Sequence, residues 1–348
     1  MTETTDKTEN AISADEVALY DRQIRLWGME SQARMRNSKI LLINVGAVAN
    51  EIVKDLVLAG IGSLTIVDAH ETSEGDFGAQ FFVQEGDEGK NRGDAALPRI
   101  SKLNKHVSVE TLDRAILDLD KDFVGKFDLV VITQATLAEV THITALCDET
   151  NTTNIAVGVS GLFSYAFVDL REYTYKTEMT HKPTPKSIPA HATLLESVEL
   201  ETGNYSASIK QEFKPFKQVL EAIQTPKPFA HLRPKYKARV PGYVPLLFAA
   251  WTYEQDNADK SWGSLSASEL HKLGVEQCEK LQLPAGVVSE ELAQQVLTSK
   301  DAEVATTASI MGGGIAQEVL NYLARSQVPL DNFYVFDCSS GESPIYRL

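Results

Sequence analysis

Three cysteines stand in 348 residues, Cys147, Cys278 and Cys338, and no CxxC pair occurs among them. Odd in number and widely spaced, they offer neither a zinc ligand set nor a disulfide framework, and a reduced compartment suits such a chain. Apolar runs are short: none reaches the roughly 18 residues of a membrane span, and no signal-peptide core follows Met1, so no membrane association is expected. Cations are in the minority, with 33 Lys and Arg against 48 Asp and Glu and a formal charge of −15. Nucleic-acid affinity depends on cations that neutralise phosphates, so this balance argues against nucleic acid as a direct ligand. It suits a basic protein partner, and equally a merely soluble acidic protein. The seven histidines are scattered without metal-ligand spacing, so no metal site is expected. No internal repeat and no Lys/Arg import cluster is found.

A hydrophobic content of 43% suffices for a full core, and at about 150 residues per domain the length allows one large or two medium domains. Residues 1–12 are polar and Thr/Glu-rich and read as a disordered tail. Ser13 and Glu16 form a capping-box pattern, and Val17, Tyr20, Ile24 and Trp27 then recur on one helical face with Arg22 on the opposite side. From Lys39 the pattern alternates: strands at 39–45, 63–68, 107–111, 128–133 and 154–159, helices near 50–59, 91–104 and 136–149. Short apolar strands separated by helices predict an α/β, Rossmann-like doubly wound, mostly parallel sheet, with 13–171 as its main body. Residues 160–170 form a further β-rich stretch. Between 172 and 235 the pattern fails at KPTPKSIP, a Gly-Asn turn and TPKPF, which reads as an insertion of loop character. The remainder, 236–348, reads as a helical return (243–254, 266–282, 289–298, 308–325) closed by an apolar strand at 332–336 and a final PIYRL.

KILLINVGAVANE (39–51) is the frame of a nucleotide-binding turn with its glycines mostly gone. The three positions of a G-x-G-x-x-G fingerprint hold Gly46, Val48 and Glu51. Val48 brings a branched side chain where backbone must approach pyrophosphate, and Glu51 brings negative charge toward a helix start that favours anions, so the anion site is expected to be absent. Asp68 ends the second strand at the distance where such folds hold a ribose hydroxyl, although a turn or cap aspartate fits as well. Gly312-Gly313-Gly314 follows a helical stretch and not a strand, which favours close packing over a phosphate loop. Cys147 falls on the apolar side of a helix and reads as core; Cys338 has no base beside it.

YDRQIRLWG (20–28), KILLINVGA, SLTIVDAH, DFGAQFF (76–82), GKNR (89–92), ASIMGGGIAQEVL (308–320) and NFYVFD (332–337) together resemble the ubiquitin-like-protein activating enzymes. They are most similar to the small, Aos-type, non-catalytic subunits that activate SUMO, over residues 16 to 348 with 172–235 weakest. The resemblance implies a ThiF-type adenylation fold in its inactive half, a heterodimer with a Uba-type catalytic subunit, and SUMO as substrate, with the SUMO-conjugating enzyme reached through the complex. It also implies that ATP and magnesium are bound by the partner and that the location is the nucleus, with the cytoplasm as a second. Active halves carry GxGGxG where this chain has Gly46-Ala47-Val48-Ala49, and an arginine where it has Ala79. They carry a lysine where Arg92 stands, and often zinc-binding CxxC pairs. Gly46, Asp68 and Arg92 are on this reading vestigial.

The resemblance gives Arg22 a different task, reaching across the dimer to the ATP phosphates in the partner's site, with Arg25 the weaker candidate for that interface. The alternative is a solvated arginine paired with Asp21 or Glu16. Rival functions are a stand-alone homodimeric ThiF-type adenylyltransferase and a non-catalytic scaffold half for another modifier.

Overall fold

Strand β1 (Lys39–Ile43) shows why the main sheet is covered on both sides. Successive side chains of a strand face opposite ways. Ile40 and Leu42 enter one core with the helices Met29–Asn37, Ala47–Ala59, Arg92–Ile100 and Ala305–Ala324. Leu41 and Ile43 enter a second core with Leu137–Thr150, Phe216–Ala222, Tyr243–Asp256 and Ala267–Leu281. The computed structural model describes residues 12–184, 186–257 and 259–348, so the expected tail lies outside the described residues apart from Ile12.

The other strands of this sheet are β2 (Ser63–Val67), β3 (Ser108–Leu112), β4 (Leu129–Thr133), β5 (Thr153–Ser160) and β6 (Phe163–Asp169). After an intervening small sheet, formed by β7 (Glu172–Met179), β8 (Ala192–Glu199) and β9 (Tyr205–Glu212), come β10 (Phe333–Asp337) and β11 (Ile345–Tyr346). The eight-stranded order is β11-β10-β6-β5-β4-β1-β2-β3, with β1 to β5 parallel and β6, β10 and β11 added antiparallel. This is the doubly wound α/β architecture that the alternating pattern predicts.

Residues 172–235 differ from the loop expected there. β7, β9 and β8 form an antiparallel sheet, followed by short helices. In β7 only Tyr173 and Tyr175 are buried, between Glu172, Thr174 and Lys176, an alternation that polar residues disguise. The prolines that suggested a loop, Pro183 and Pro189, lie in the β7–β8 connection, and Gly203-Asn204 turns β8 into β9. Tyr173 ties this sheet to the end of helix Ala305–Ala324, its hydroxyl donating to the Asn321 carbonyl at 2.9 Å.

The chain opens in three short helices, Ala14–Leu19, Asp21–Trp27 and Met29–Asn37, where one longer helix is expected across residues 13–27. The break falls at Tyr20, whose backbone leaves the helical region (φ −99°, ψ 16°). The Ser13/Glu16 capping box is present, with Ser13 N–H donating to Glu16 at 2.9 Å and Glu16 N–H to the Ser13 hydroxyl at 3.2 Å. Tyr20 is buried and its hydroxyl accepts from Asn104 at 2.7 Å; Val17, Ile24 and Trp27 are only partly buried.

Helix Ala305–Ala324 crosses helix Ala47–Ala59 at Gly312, where a Cβ would stand 2.6 Å from Glu51 Cβ and 2.8 Å from the Val48 carbonyl. Gly313 and Gly314 face open space instead, so the close packing expected of the glycine triplet rests on its first member.

Further along the same helix Glu318 is buried, its carboxylate accepting from Leu330 N–H at 2.7 Å. Burial outweighs that bond and raises its pKa from 4.5 to about 7. A carboxyl whose pKa rises on folding favours the folded state while protonated, so its contribution is lost as pH climbs from about 4.5 through about 7. Glu318→Gln keeps the acceptor without the charge. The variant is expected to be more stable than the parent at pH 8 by about 1–3 kcal/mol and similar at pH 4, as urea unfolding at both pH values would measure. Equal stability of the two proteins at pH 8 would contradict this.

Candidate functional site

In a doubly wound sheet, ligands bind beyond the strand ends where the order reverses. Here β1 lies between β2 and β4, and the chain leaves β1 through Asn44 (φ 62°), Val45 and Gly46 into helix Ala47–Ala59. Gly46 caps that helix and has no side chain to satisfy the first amides. Those amides meet a carboxylate from the far end of the chain. Ala47 N–H donates to Glu303 Oε2 at 2.8 Å and Val48 N–H to Oε1 at 3.1 Å. The approach needs glycine, because a Cβ at Gly46 would lie 2.3 Å from Glu303 Oε2. Burial pushes the Glu303 carboxyl up, against the pull of the two amides and of Arg92.

Beside this loop Asp68 is buried and fully engaged. Its Oδ2 accepts from Val45 N–H and Arg92 Nε, both at 2.8 Å, and its Oδ1 from His70 N–H at 2.9 Å, with His70 Nδ1 at 2.8 Å. Burial alone would raise its pKa; the His70 bond, the Arg92 charge and the Val45 amide overcome this and hold it at about 2. His70 is in turn raised, first by its bond to Asp68. Arg92 also faces Asp76 at 3.5 Å, within the DFGAQF segment. Asp76 accepts from Ser73 N–H at 2.7 Å and closes the turn that ends at Ala79.

The structure therefore brings Gly46, Asp68 and Arg92 together, as the sequence pattern suggests, but in altered roles. Asp68 is a turn aspartate saturated by its own chain, and Arg92 is held between two carboxylates. The two amides at this helix start are presented to a carboxylate of the same chain, Glu303. The Val48 side chain is buried in the core, so it obstructs nothing. Glu51 lies one turn further along, bonded to Lys54 and to the Ser309 hydroxyl at 2.7 Å. A triphosphate does not fit these residues, since Glu303 holds the amides that phosphate would take and Arg92 is already neutralised.

Sequence reasoning missed Glu303. It stands 256 residues from Ala47, just before helix Ala305–Ala324, where an acidic residue reads as that helix's own lead-in. His70 and Asp76 escaped for a related reason: each is an ordinary turn residue until the fold sets it against Asp68 or Arg92.

Arg22 is exposed, and it has no ion pair or hydrogen bond among the described residues. Both local acids that would explain it otherwise are taken. Asp21 pairs with Arg25 at 3.1 Å, and Glu16 with Arg36 at 2.8 Å. Arg25 is thus less available than Arg22. Leu19, Leu26 and Met29 on the same opening helices are also exposed.

Cys147 and Cys278 are buried, and burial pushes their thiols to about 12 and about 11, which suits core residues and not nucleophiles. Among the described residues no group of three or more His, Cys, Asp or Glu could hold a metal ion, and no helix is long and apolar enough to cross a membrane.

A doubly wound sheet whose glycine turn leads into a helix at the order reversal defines a Rossmann-like nucleotide fold, here with the amides of its turn bonded to Glu303. The ThiF family model matches residues 20–347, and the chain belongs to the ThiF family. It is 34% identical over 342 residues to the DNA damage tolerance protein RHC31 of Saccharomyces cerevisiae, covering 97% of this chain and 98% of that one. It is 30% identical to the SUMO-activating enzyme subunit 1 of Xenopus laevis, covering 95% of each chain, and 30% identical to that of Dictyostelium discoideum, covering 97% and 95%.

Proposed function

We propose that this chain is the regulatory half of a heterodimeric SUMO-activating enzyme. A catalytic partner of the same fold binds ATP and magnesium, joins the SUMO C-terminal carboxylate to AMP with release of pyrophosphate, and takes the acyl group on a cysteine as a thioester. This chain supplies the docking surface and one cation, Arg22, directed at the ATP phosphates in the partner's site. The complex works in the nucleus on this reading.

The observation that carries the proposal is a pairing of opposites. The chain's own anion position is filled by Glu303 and its phosphate-side arginine is neutralised by Asp68 and Asp76. At the same time Arg22 stands exposed, with no ion pair or hydrogen bond among the described residues. A preorganised cation is worth most where charge develops in a site from which water is excluded, which an open surface is not until a partner covers it. The near-complete coverage of the SUMO-activating subunits that this chain resembles supports the choice of modifier.

Reconstitution tests it. The chain alone, and the chain with a SUMO-type catalytic subunit, would be assayed for modifier-dependent ATP–pyrophosphate exchange. Exchange by the pair with SUMO and not with ubiquitin is the expected result. Exchange by this chain alone would make it a stand-alone adenylyltransferase and overturn the assignment.

A further inference from the structure

The segment from Ser299 to Glu303 is strapped across the end of the sheet. Ser160 Oγ donates to the Lys300 carbonyl at 3.1 Å, Gly161 N–H to the Ala302 carbonyl at 2.8 Å, and Ser299 Oγ to the Ser160 carbonyl at 3.3 Å. Gly161 and Glu303 also form an isolated parallel bridge. The strap is thus fixed to the end of β5 and delivers Glu303 to the start of helix Ala47–Ala59. With no side chain at Gly46, the carboxylate lies in the cradle that phosphate takes in folds of this topology.

We propose that the strap is a built-in autoinhibitory contact, in which Glu303 takes the place of a nucleotide's phosphate and keeps inorganic or nucleotide phosphate out of this chain. The contact ties the last helix, Ala305–Ala324, to the first turn of Ala47–Ala59, so it closes the site and braces it together. The inference stands apart from which modifier or partner the chain serves, because it concerns only this chain's own cradle.

Removing the carboxylate is expected to expose a working anion site. Full-length Glu303→Gly, melted in chloride at fixed ionic strength, should unfold at a lower temperature than the parent. Millimolar pyrophosphate should restore much of that loss while leaving the parent unmoved. If Glu303→Gly does not fold, Glu303→Ala empties the cradle without adding backbone freedom. Its Ala47 and Val48 amide resonances should then shift on pyrophosphate titration, whereas those of the parent should not. Equal pyrophosphate responses in parent and variant, or no response in either, would overturn the proposal.

Discussion

Arg22→Ala is expected to lower ATP–pyrophosphate exchange by the reconstituted pair roughly 100-fold, the loss typical of one preorganised charge-stabilising donor, while the two chains still co-elute. The separation follows from the surroundings of the side chain. Arg22 satisfies no group of its own chain among the described residues, so truncation leaves no buried partner stranded here. Leu19, Leu26 and Met29, exposed on the same opening helices, stay in place for docking. Arg22→Lys should fall between the two, because an ammonium keeps the charge but lacks the planar fork that grips phosphate oxygens. Exchange measured at limiting ATP reads the effect, and an Arg22→Ala pair as active as the parent would remove the role assigned to this residue. Arg25→Ala should be milder, since Arg25 already pairs with Asp21.

Gly312→Leu should be strongly damaging for folding. The first side-chain carbon alone would meet Glu51 Cβ at 2.6 Å and the Val48 carbonyl at 2.8 Å, and the latter is backbone that cannot rotate aside. Two long helices would have to separate, at a cost of roughly 3 kcal/mol or more. Gly314→Ala supplies the contrast. Nothing lies within 4 Å of its added carbon, and alanine is better than glycine inside a helix by about 1 kcal/mol, so the free chain should become more stable. Chemical denaturation of both variants decides the matter; two shifts of the same sign would contradict the helix crossing described here.

The parallel body of the sheet was legible because β1, β4 and β5 are apolar on both faces and bounded by turns, a pattern with few alternative readings. β7 to β9 were not, because one face of each is polar and the punctuating prolines and glycine drew attention to the connections. Within the site, Gly46, Asp68 and Arg92 could be picked out from spacing along neighbouring elements. Their pairing could not, since Arg92 meets Asp68 only once the helix Arg92–Ile100 is set against the end of β2. Glu303 was the least visible, because its contact joins two segments by long-range topology alone. The negative charge expected at this helix start was sought in Glu51, and the fold supplies it from Glu303.

Glu303 also makes the proposed loss of a nucleotide site hard to reverse. Restoring glycines at Val48 and Ala49 would leave the cradle as full as before, because its occupant arrives from a different part of the chain. Deleting Glu303 alone would open two amides to an anion but loosen the last helix, with Arg92 still neutralised by Asp68 and Asp76 and so unable to grip a nucleotide. Each single step back toward a working site is therefore a loss before it is a gain. In the pair proposed above, such a ratchet would keep the division of labour fixed, one half holding the nucleotide and the other committed to its support.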